Sequence, residues 1–382
     1  MEIGMYVGAV LLGLLLNIAG LGFSTSSEHT FEMMAQAITF LVAVAIIPEA
    51  YANGFATARV HWAKRGLKMF FWLTIGLVVR AFAVYFAAMA IGLHSPLGVA
   101  SGFLATDPAA VGLSLGLVEA KYLLGLFWQL TVESLLNDAI GITVYEVAAG
   151  SSMQIALTIV RDTLLLAGVL ALVLTLVRTA LRRARWSVGV EVGLTLGIYV
   201  AFFVFAIFQG LSLILLSAVG TILFDFVDEI MRVPQASNRH GLKHTYEWMN
   251  KILLAVLLMA VTTMFPLDAI GKVWFGSLVL IFAVAGSRFL VSWGKRLLAK
   301  NLLPGPNHGH EYGMEVVPVQ TGAGTSLLGV PTIVALELAA HGYTLDAQTM
   351  LIAIMMSWVF IPLTVMAIKS VERKFEFTSE PA

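Results

Sequence analysis

Long apolar runs dominate this sequence and decide what it can fold into. About twelve windows hold the roughly 20 consecutive apolar residues that a helix needs to cross a bilayer. They lie near residues 3–23, 33–57, 67–93, 95–118, 122–148, 154–177, 189–209, 210–227, 250–269, 273–297, 316–341 and 347–369. The sequence therefore predicts an all-α integral membrane protein with about 12 transmembrane helices, forming a single unit over residues 1–382 in the lipid bilayer.

The composition excludes several classes of soluble protein. The chain is 59% hydrophobic and 12% charged, whereas a soluble domain is about 45–50% apolar and about 25% charged. Its 23 basic residues balance its 23 acidic residues, so no net charge attracts a nucleic acid. Because the sequence has no GxxxxGK[ST] loop, we expect no nucleotide partner. With no cysteine and scattered histidines, we also expect no bound cofactor.

The lysines and arginines predict the orientation of the chain in the membrane. If the amino terminus is cytoplasmic, 19 of the 23 basic residues fall on the cytoplasmic side, in alternate connections and at the carboxyl terminus. Among them are Arg178, counted in the connection after span six, and Lys295, counted in the connection after span ten. Both termini are therefore predicted to be cytoplasmic. The longest polar connection, near 228–250, is predicted to be a cytoplasmic loop.

The fourth span places a helix break beside a carboxylate. Its middle contains Thr106, Asp107 and Pro108, and a proline removes a backbone donor and disfavours helical geometry in the residue before it. The helix is therefore expected to open at Thr106-Asp107, where freed carbonyls, a hydroxyl and a carboxylate collect at one depth. Such oxygen ligands suit a small hard cation. A proline kink with a buried, protonated aspartate is the alternative.

The fifth span carries two carboxylates on different faces of one helix. Ser134 and Asp138 are four residues apart and share a face, whereas Glu133 and Asn137 share a face roughly 100° away. One carboxylate can meet an ion, and the other needs a partner to remain charged at this depth. Arg288 in span ten is the candidate partner of Glu133. A structural polar network between helices is an equally open interpretation.

Helix breakers also interrupt spans eleven and two. Span eleven contains Gly322 and Gly324 between two prolines, and transporters place such broken helices at matching positions of two inverted halves. Spans four and eleven are seven apart, and the same offset relates spans three and ten, which each carry a central arginine. A glycine-rich packing helix is the alternative. In span two, Glu49 follows Pro48 and is either a further ligand or a side chain that snorkels.

The motifs of spans four and five resemble those of a known transporter family. Thr106-Asp107-Pro108, followed one span later by Glu133-Ser134-Leu-Leu-Asn137-Asp138, is similar to the paired motifs of the monovalent cation/proton antiporters, in their NhaP- and NHE-like branch. The resemblance extends to the span order over roughly residues 30 to 370. Relatives commonly have one more helix at the amino terminus, and span eleven lacks their Gly-Leu-Arg-Gly segment.

The resemblance implies an NhaA/NhaP-like fold of inverted repeats with two broken, crossing helices. Residues 67–148 and 273–369 would form the core around the ion, and residues 1–57 and 189–269 would form scaffold helices at a homodimer interface. The location would be a cell membrane, in a prokaryote the inner membrane.

The resemblance also implies roles for single residues. Asp138 would carry either the cation or the proton, with Thr106, Asp107 and Ser134 as ligands of the monovalent metal ion. Asn137 before Asp138 is the pattern of the electroneutral branch.

Three further residues are assigned by the same likeness. Glu49 would be a secondary ligand, because Ile47-Pro48-Glu49 is similar to the family's Pro-(Phe)-Glu stretch. Arg288 sits where the family places the arginine that pairs with the glutamate of the Glu-Ser motif, here Glu133.

These features predict a secondary active transporter, not an enzyme. It would exchange Na⁺, and also Li⁺, for H⁺ by alternating access, and so serve pH homeostasis. A K⁺/H⁺ exchanger of the same family is one alternative. A passive cation channel is another, although a channel would need a continuous polar stripe. An intramembrane enzyme with two aspartates and an organic-anion symporter fit the central carboxylates less well.

Overall fold

The structure, a computed structural model, is built almost entirely from helices. It describes residues 2–52, 55–105, 124–150, 152–230, 239–302 and 317–379. The helices are α1 (Glu2–Leu16), α2 (Glu28–Ala52), α3 (Phe55–Ala90), α4 (Pro96–Leu104), α5 (Leu124–Ala148), α6 (Met153–Arg183), α7 (Val188–Phe208), α8 (Leu213–Ile230), α9 (Arg239–Thr263), α10 (Ile270–Leu302), α11 (Val317–Thr325), α12 (Gly329–Ala340), α13 (Thr344–Ser357) and α14 (Phe360–Ser379).

Each of the predicted spans contains at least one of these helices, so the all-α membrane architecture is confirmed. Within the described ranges, 8 helical segments are long and apolar enough to cross a membrane. Span eleven is divided into α11 and α12, and the last span is divided into α13 and α14. The interruption of span eleven agrees with its glycines and prolines, whereas Pro48 lies inside α2 without ending it.

Several helices run past the predicted span ends. The 36 residues of α3 reach about 54 Å at 1.5 Å per residue, well beyond the apolar core of a bilayer. The connection predicted over 228–250 overlaps helices at both ends, because α8 continues to Ile230 and α9 begins at Arg239. Hydropathy falls at the first charged residues, but backbone hydrogen bonds continue the helix beyond them. Charged residues expected in connections are therefore helical.

Two apolar cores meet at α2. The larger core brings together α2, α4, α10, α12 and α13, with Phe103 and Leu336 among its fully buried members. The smaller core joins α2 to α6, α7 and α8 around Leu170 and Phe203. Because α2 contributes to both, it lies between the helices with the interrupted spans and the α6–α8 group.

Four buried charges tie α6, α7 and α8 together. Arg178 Nε donates to Glu191 Oε1 at 2.8 Å, and Arg178 Nη1 donates to Asp228 Oδ2 at 3.0 Å. Arg182 Nη2 donates to the same Glu191 oxygen at 3.0 Å, and the Arg178 guanidinium lies 5.1 Å from the ring centre of Phe224. Two positive and two negative charges thus balance inside the helix bundle.

The buried carboxylate of Asp346 fixes the start of α4 to the start of α13. It accepts hydrogen bonds from the backbone N–H groups of His94, at 3.1 Å, and Ser95, at 2.6 Å. The first N–H groups of a helix have no partner within the helix, and a carboxylate near them is favoured by the helix dipole. Ser277 on α10 also donates to the carbonyl of Thr349 on α13 at 2.9 Å. These contacts hold α4, α10 and α13 in register.

Candidate ion-binding site

The first half of span four ends inside the helix bundle. The last helical residue of α4 is Leu104, and Ala105 has extended backbone angles, φ −59° and ψ 139°. All of α4 from Gly98 to Leu104 is buried. A break was predicted here, and the helix ends two residues before the predicted opening at Thr106-Asp107. Thr106, Asp107 and Pro108 themselves lie outside the described residues.

Arg80 on α3 binds the broken end of α4. The side chain is 1% exposed, and its Nη1 donates to the carbonyl oxygens of Leu104, at 2.8 Å, and Ala105, at 3.4 Å. Arg80 also interacts electrostatically with Glu133 and Asp138 on α5. Two of the carbonyls near the break are therefore bound by a guanidinium rather than left for a cation.

The Ser134–Asp138 face of α5 packs against the same end of α4. Gly141 continues this face, and a Cβ added to it would lie 2.8 Å from the carbonyl of Ser101 and 3.5 Å from the amide of Ala105. A glycine is thus required for this close approach. Ser134 and Asp138 are almost completely buried, at 0% and 1% exposure. Within the part of the chain that the structure describes, Ser134 Oγ has no hydrogen-bond partner.

Glu133 faces the opposite direction, toward α10. It forms the predicted ion pair with Arg288, and the Asn137 side chain hydrogen-bonds to it. Arg288 in turn packs over Gly324 of α11, where an added Cβ would lie 2.6 Å from its Nε. The two carboxylates of α5 therefore have different surroundings, as their helical spacing predicts.

Arg80 and Arg288 occupy corresponding places in the two halves. Each lies on the helix that precedes a broken span, and each reaches the carboxyl-terminal part of the half-helix that follows, Leu104 of α4 or Gly324 of α11. The end of a helix carries a partial charge of about −0.5, which a nearby cation stabilises. This correspondence agrees with the predicted inverted arrangement of spans three and four with spans ten and eleven.

Backbone groups at the break in span eleven form hydrogen bonds with side chains at the break in the last span. The amide of Leu327 donates to Ser357 Oγ at 2.9 Å, and Trp358 Nε1 donates to the carbonyl of Leu327 at 2.9 Å. Gly322 allows α11 to approach Thr364 on α14. Sequence reasoning placed no break near Ser357, although Pro362 in the first turn of α14 is a signal for a helix start there.

A polar cleft beside Glu133 contains a lysine that sequence reasoning missed. Its lining includes Trp72, Glu133, Arg288, Ser292, Lys295 and Gln320. Lys295 was counted in a cytoplasmic connection, but it lies inside α10 and is 8% exposed. It is seven residues after Arg288, two helical turns along the same face. This spacing is the signal that would have placed Lys295 near Glu133, with which it interacts electrostatically.

Other predicted ligands cannot be placed at the site. The backbone of α2 continues through Glu49, but its side chain lies outside the described residues. Among the described residues, no group of three or more His, Cys, Asp or Glu side chains converges as a metal site would require. Asp107, the predicted companion of Asp138, belongs to the segment that is not described.

Comparison with known proteins supports the architecture. No protein-family profile and no curated protein matches this chain. Among solved structures, the sodium proton antiporter MjNhaP1 from Methanocaldococcus jannaschii, determined at pH 8, matches with a TM-score of 0.63 at 18% identity. The match covers 98% of this chain and 99% of that chain. This chain has the NhaP antiporter fold. The neighbour is a transporter and not an enzyme.

Proposed function

We propose that this protein is a secondary active transporter that exchanges a monovalent cation for a proton. Na⁺ is the expected cation and Li⁺ a second substrate, both transported ions rather than cofactors. The observation that carries the proposal is the buried Ser134–Asp138 face of α5, packed against the broken end of α4 within an NhaP antiporter fold. Oxygen atoms at a helix break offer the ligands that hard cations prefer.

The arrangement of charges supports exchange at one carboxylate. Glu133 is held by Arg288, so its charge belongs to the protein framework. Asp138 lies on the other face of α5, beside Ser134 and the end of α4. A carboxylate there binds either a proton or a metal ion, because each neutralises the same charge. Two mutually exclusive occupants that are carried in turn between the two sides of the membrane produce coupled exchange.

The same geometry supports a one-for-one stoichiometry. The residue before Asp138 is Asn137, whose amide bonds to Glu133 and contributes no second titrating carboxylate. One positive charge then moves in each direction, and transport is electroneutral. We further propose that the protein works as a homodimer in a prokaryotic inner membrane, with both termini cytoplasmic and a role in pH homeostasis.

Proteoliposomes test this function directly. Vesicles with an acidic interior are mixed with Na⁺, Li⁺ or K⁺ salts while a dye reports the internal pH. We expect Na⁺ and Li⁺ to collapse the gradient in wild type and not in Asp138→Asn. The matched control is Asp162→Asn, which makes the same change at an exposed ion pair on α6 and should retain full exchange.

Each other outcome points to a named alternative. If K⁺ is the most effective cation, the protein is a K⁺/H⁺ exchanger. If cations cross without proton movement, it is a passive channel. If correctly folded wild type collapses the gradient with none of the three cations, cation/proton exchange is wrong. Exchange that generates a membrane potential would overturn the electroneutral stoichiometry alone.

A further inference from the structure

Arg80 is a positive charge inside a site proposed to bind cations. The guanidinium is 1% exposed, and it is fixed by hydrogen bonds to the carbonyls of Leu104 and Ala105. It is too well anchored to move aside as a mobile side chain would. The presence of a fixed positive charge, that of Arg80, beside a cation-binding site needs a physical explanation.

The surrounding charges indicate where the influence of Arg80 is directed. α4 contributes no ionisable side chain between Pro96 and Leu104. From α5, Glu133 and Asp138 both interact with Arg80 electrostatically. From α10, Arg288 pairs with Glu133, and Lys295 also faces Glu133. Glu133 therefore has other positive neighbours, and Arg80 also acts on Asp138.

An internal countercharge has a direct consequence for transport. A cation that arrives at Asp138 meets a carboxylate whose field is already reduced by Arg80. The cation is repelled by the guanidinium, and it finds the Leu104 and Ala105 carbonyls already bound. Both effects weaken binding, and a carrier needs weak binding because the ion must leave again on the other side of the membrane.

We propose that Arg80 is a positioning residue that holds the broken end of α4 and keeps cation affinity low enough for rapid release. The inference rests on the proposed exchange function and adds a residue to it. It also assigns different roles to the two corresponding arginines, Arg80 and Arg288. Arg288 stabilises the framework through Glu133, whereas Arg80 adjusts the strength of ion binding.

Two substitutions separate the charge of Arg80 from its hydrogen bonds. Arg80→Gln keeps an amide donor near the Leu104 carbonyl but removes the charge. Arg80→Lys keeps the charge but loses the planar guanidinium. Cation KM and turnover are measured in proteoliposomes at one alkaline pH, where protons compete least. We expect Arg80→Gln to lower the KM for Na⁺ by about tenfold and to slow turnover by a similar factor, since one charge at close range has at least this effect.

The lysine variant shows whether charge is the cause. Arg80→Lys should have a KM within about twofold of wild type, because a single positive charge is retained. A purely structural arginine would give reduced turnover in both variants without tighter cation binding. An unchanged or raised KM in Arg80→Gln, or equal KM values in the two variants, would therefore overturn the inference.

A second measurement guards against poor folding. Arg80→Met fills the buried space with an unbranched apolar chain and also lacks charge. Stabilisation of the purified protein against heat by added Na⁺ reports binding by the folded fraction alone. The concentration of Na⁺ that gives half of the effect should be about tenfold lower in Arg80→Met than in wild type. If exchange by wild type depends on Asp138 but the Na⁺ affinity is unchanged in the Arg80 variants, this inference is rejected and the proposed function is retained. Absence of wild-type exchange rejects the function itself.

Discussion

Glu133 on α5 and Arg288 on α10 form a largely buried ion pair across 155 residues of sequence. The pair joins α5 of the first half to α10, the helix that precedes the second broken span. It also places the Arg288 side chain over Gly324. One contact therefore connects the carboxylate motif of span five with the break in span eleven.

Breaking this pair from one side should be more harmful than removing it completely. Arg288→Met leaves the Glu133 carboxylate without its guanidinium, and loss of one partner of a buried pair costs about 3–5 kcal/mol. Glu133→Gln combined with Arg288→Met removes both partners of the pair together and should recover most of the melting temperature. A thermal double-mutant cycle in detergent measures this coupling. Simple addition of the two single losses would contradict it.

Adding one methyl group at Gly324 should impair transport. An alanine Cβ there would lie within 3 Å of three atoms of the Arg288 side chain, so the guanidinium must shift away from Glu133. Displacements of about 1 Å at a functional site commonly reduce rates by tenfold or more. Gly286→Ala on α10 is the matched control, since its Cβ would meet no atom within 4 Å. Equal exchange rates in the two variants would show that the close approach at Gly324 is unimportant.

The buried charges of α6–α8 should make Arg178 essential for stability. Arg178→Met leaves Arg182 as the one remaining positive charge of this four-charge network, and the expected loss is about 3–5 kcal/mol. Arg161→Met removes an arginine from the other end of the same helix, where its pair with Asp162 is exposed. That control should melt at the wild-type temperature. The same melting temperature for both variants would argue against a structural network.

Proton and cation should compete for Asp138. As the pH falls, the apparent KM for Na⁺ should rise while the maximal rate at saturating Na⁺ stays constant. The increase approaches about tenfold per pH unit once the proton dominates the site. Initial rates over a matrix of pH values and Na⁺ concentrations distinguish this from a fall in maximal rate. An apparent KM for Na⁺ that stays constant from about pH 5 to 9 would exclude competition between the proton and Na⁺ at Asp138 over that range.

The all-helical membrane architecture was predictable because the bilayer imposes one strong rule, a run of apolar residues for each span. Lys295 and Arg178 show where that rule stops. Both were assigned to cytoplasmic connections because hydropathy falls at charged residues, yet both are buried in helices. The carboxylates that neutralise Arg178 are 13 and 50 residues away, so local sequence carries no sign of them.

The candidate site also has features that the sequence predicts and features that it does not. Helical spacing correctly separated Glu133 from Asp138, and the need of a buried carboxylate for a cation pointed to Arg288. The anchoring of Arg80 on Leu104 could not be predicted, since it depends on how α3 packs against α4. The break near Ser357 was also missed, although Pro362 in the first turn of α14 marks it, and the hydrogen bond from Leu327 to Ser357 could not be predicted from local sequence.

The hydrogen bonds of Asp346 have a consequence for how the carrier changes orientation. They join α4 to α13, and Ser277 joins α10 to α13, so these helices behave as one body. Covalent cross-links can locate the boundary between this body and the helices that it moves against. A chain without cysteine is a ready background for introducing the required thiols. A thiol pair that bridges α4 and α13 should leave ion exchange intact. A pair that bridges α2 and α12, which pack together across that boundary, should trap the protein facing one side of the membrane.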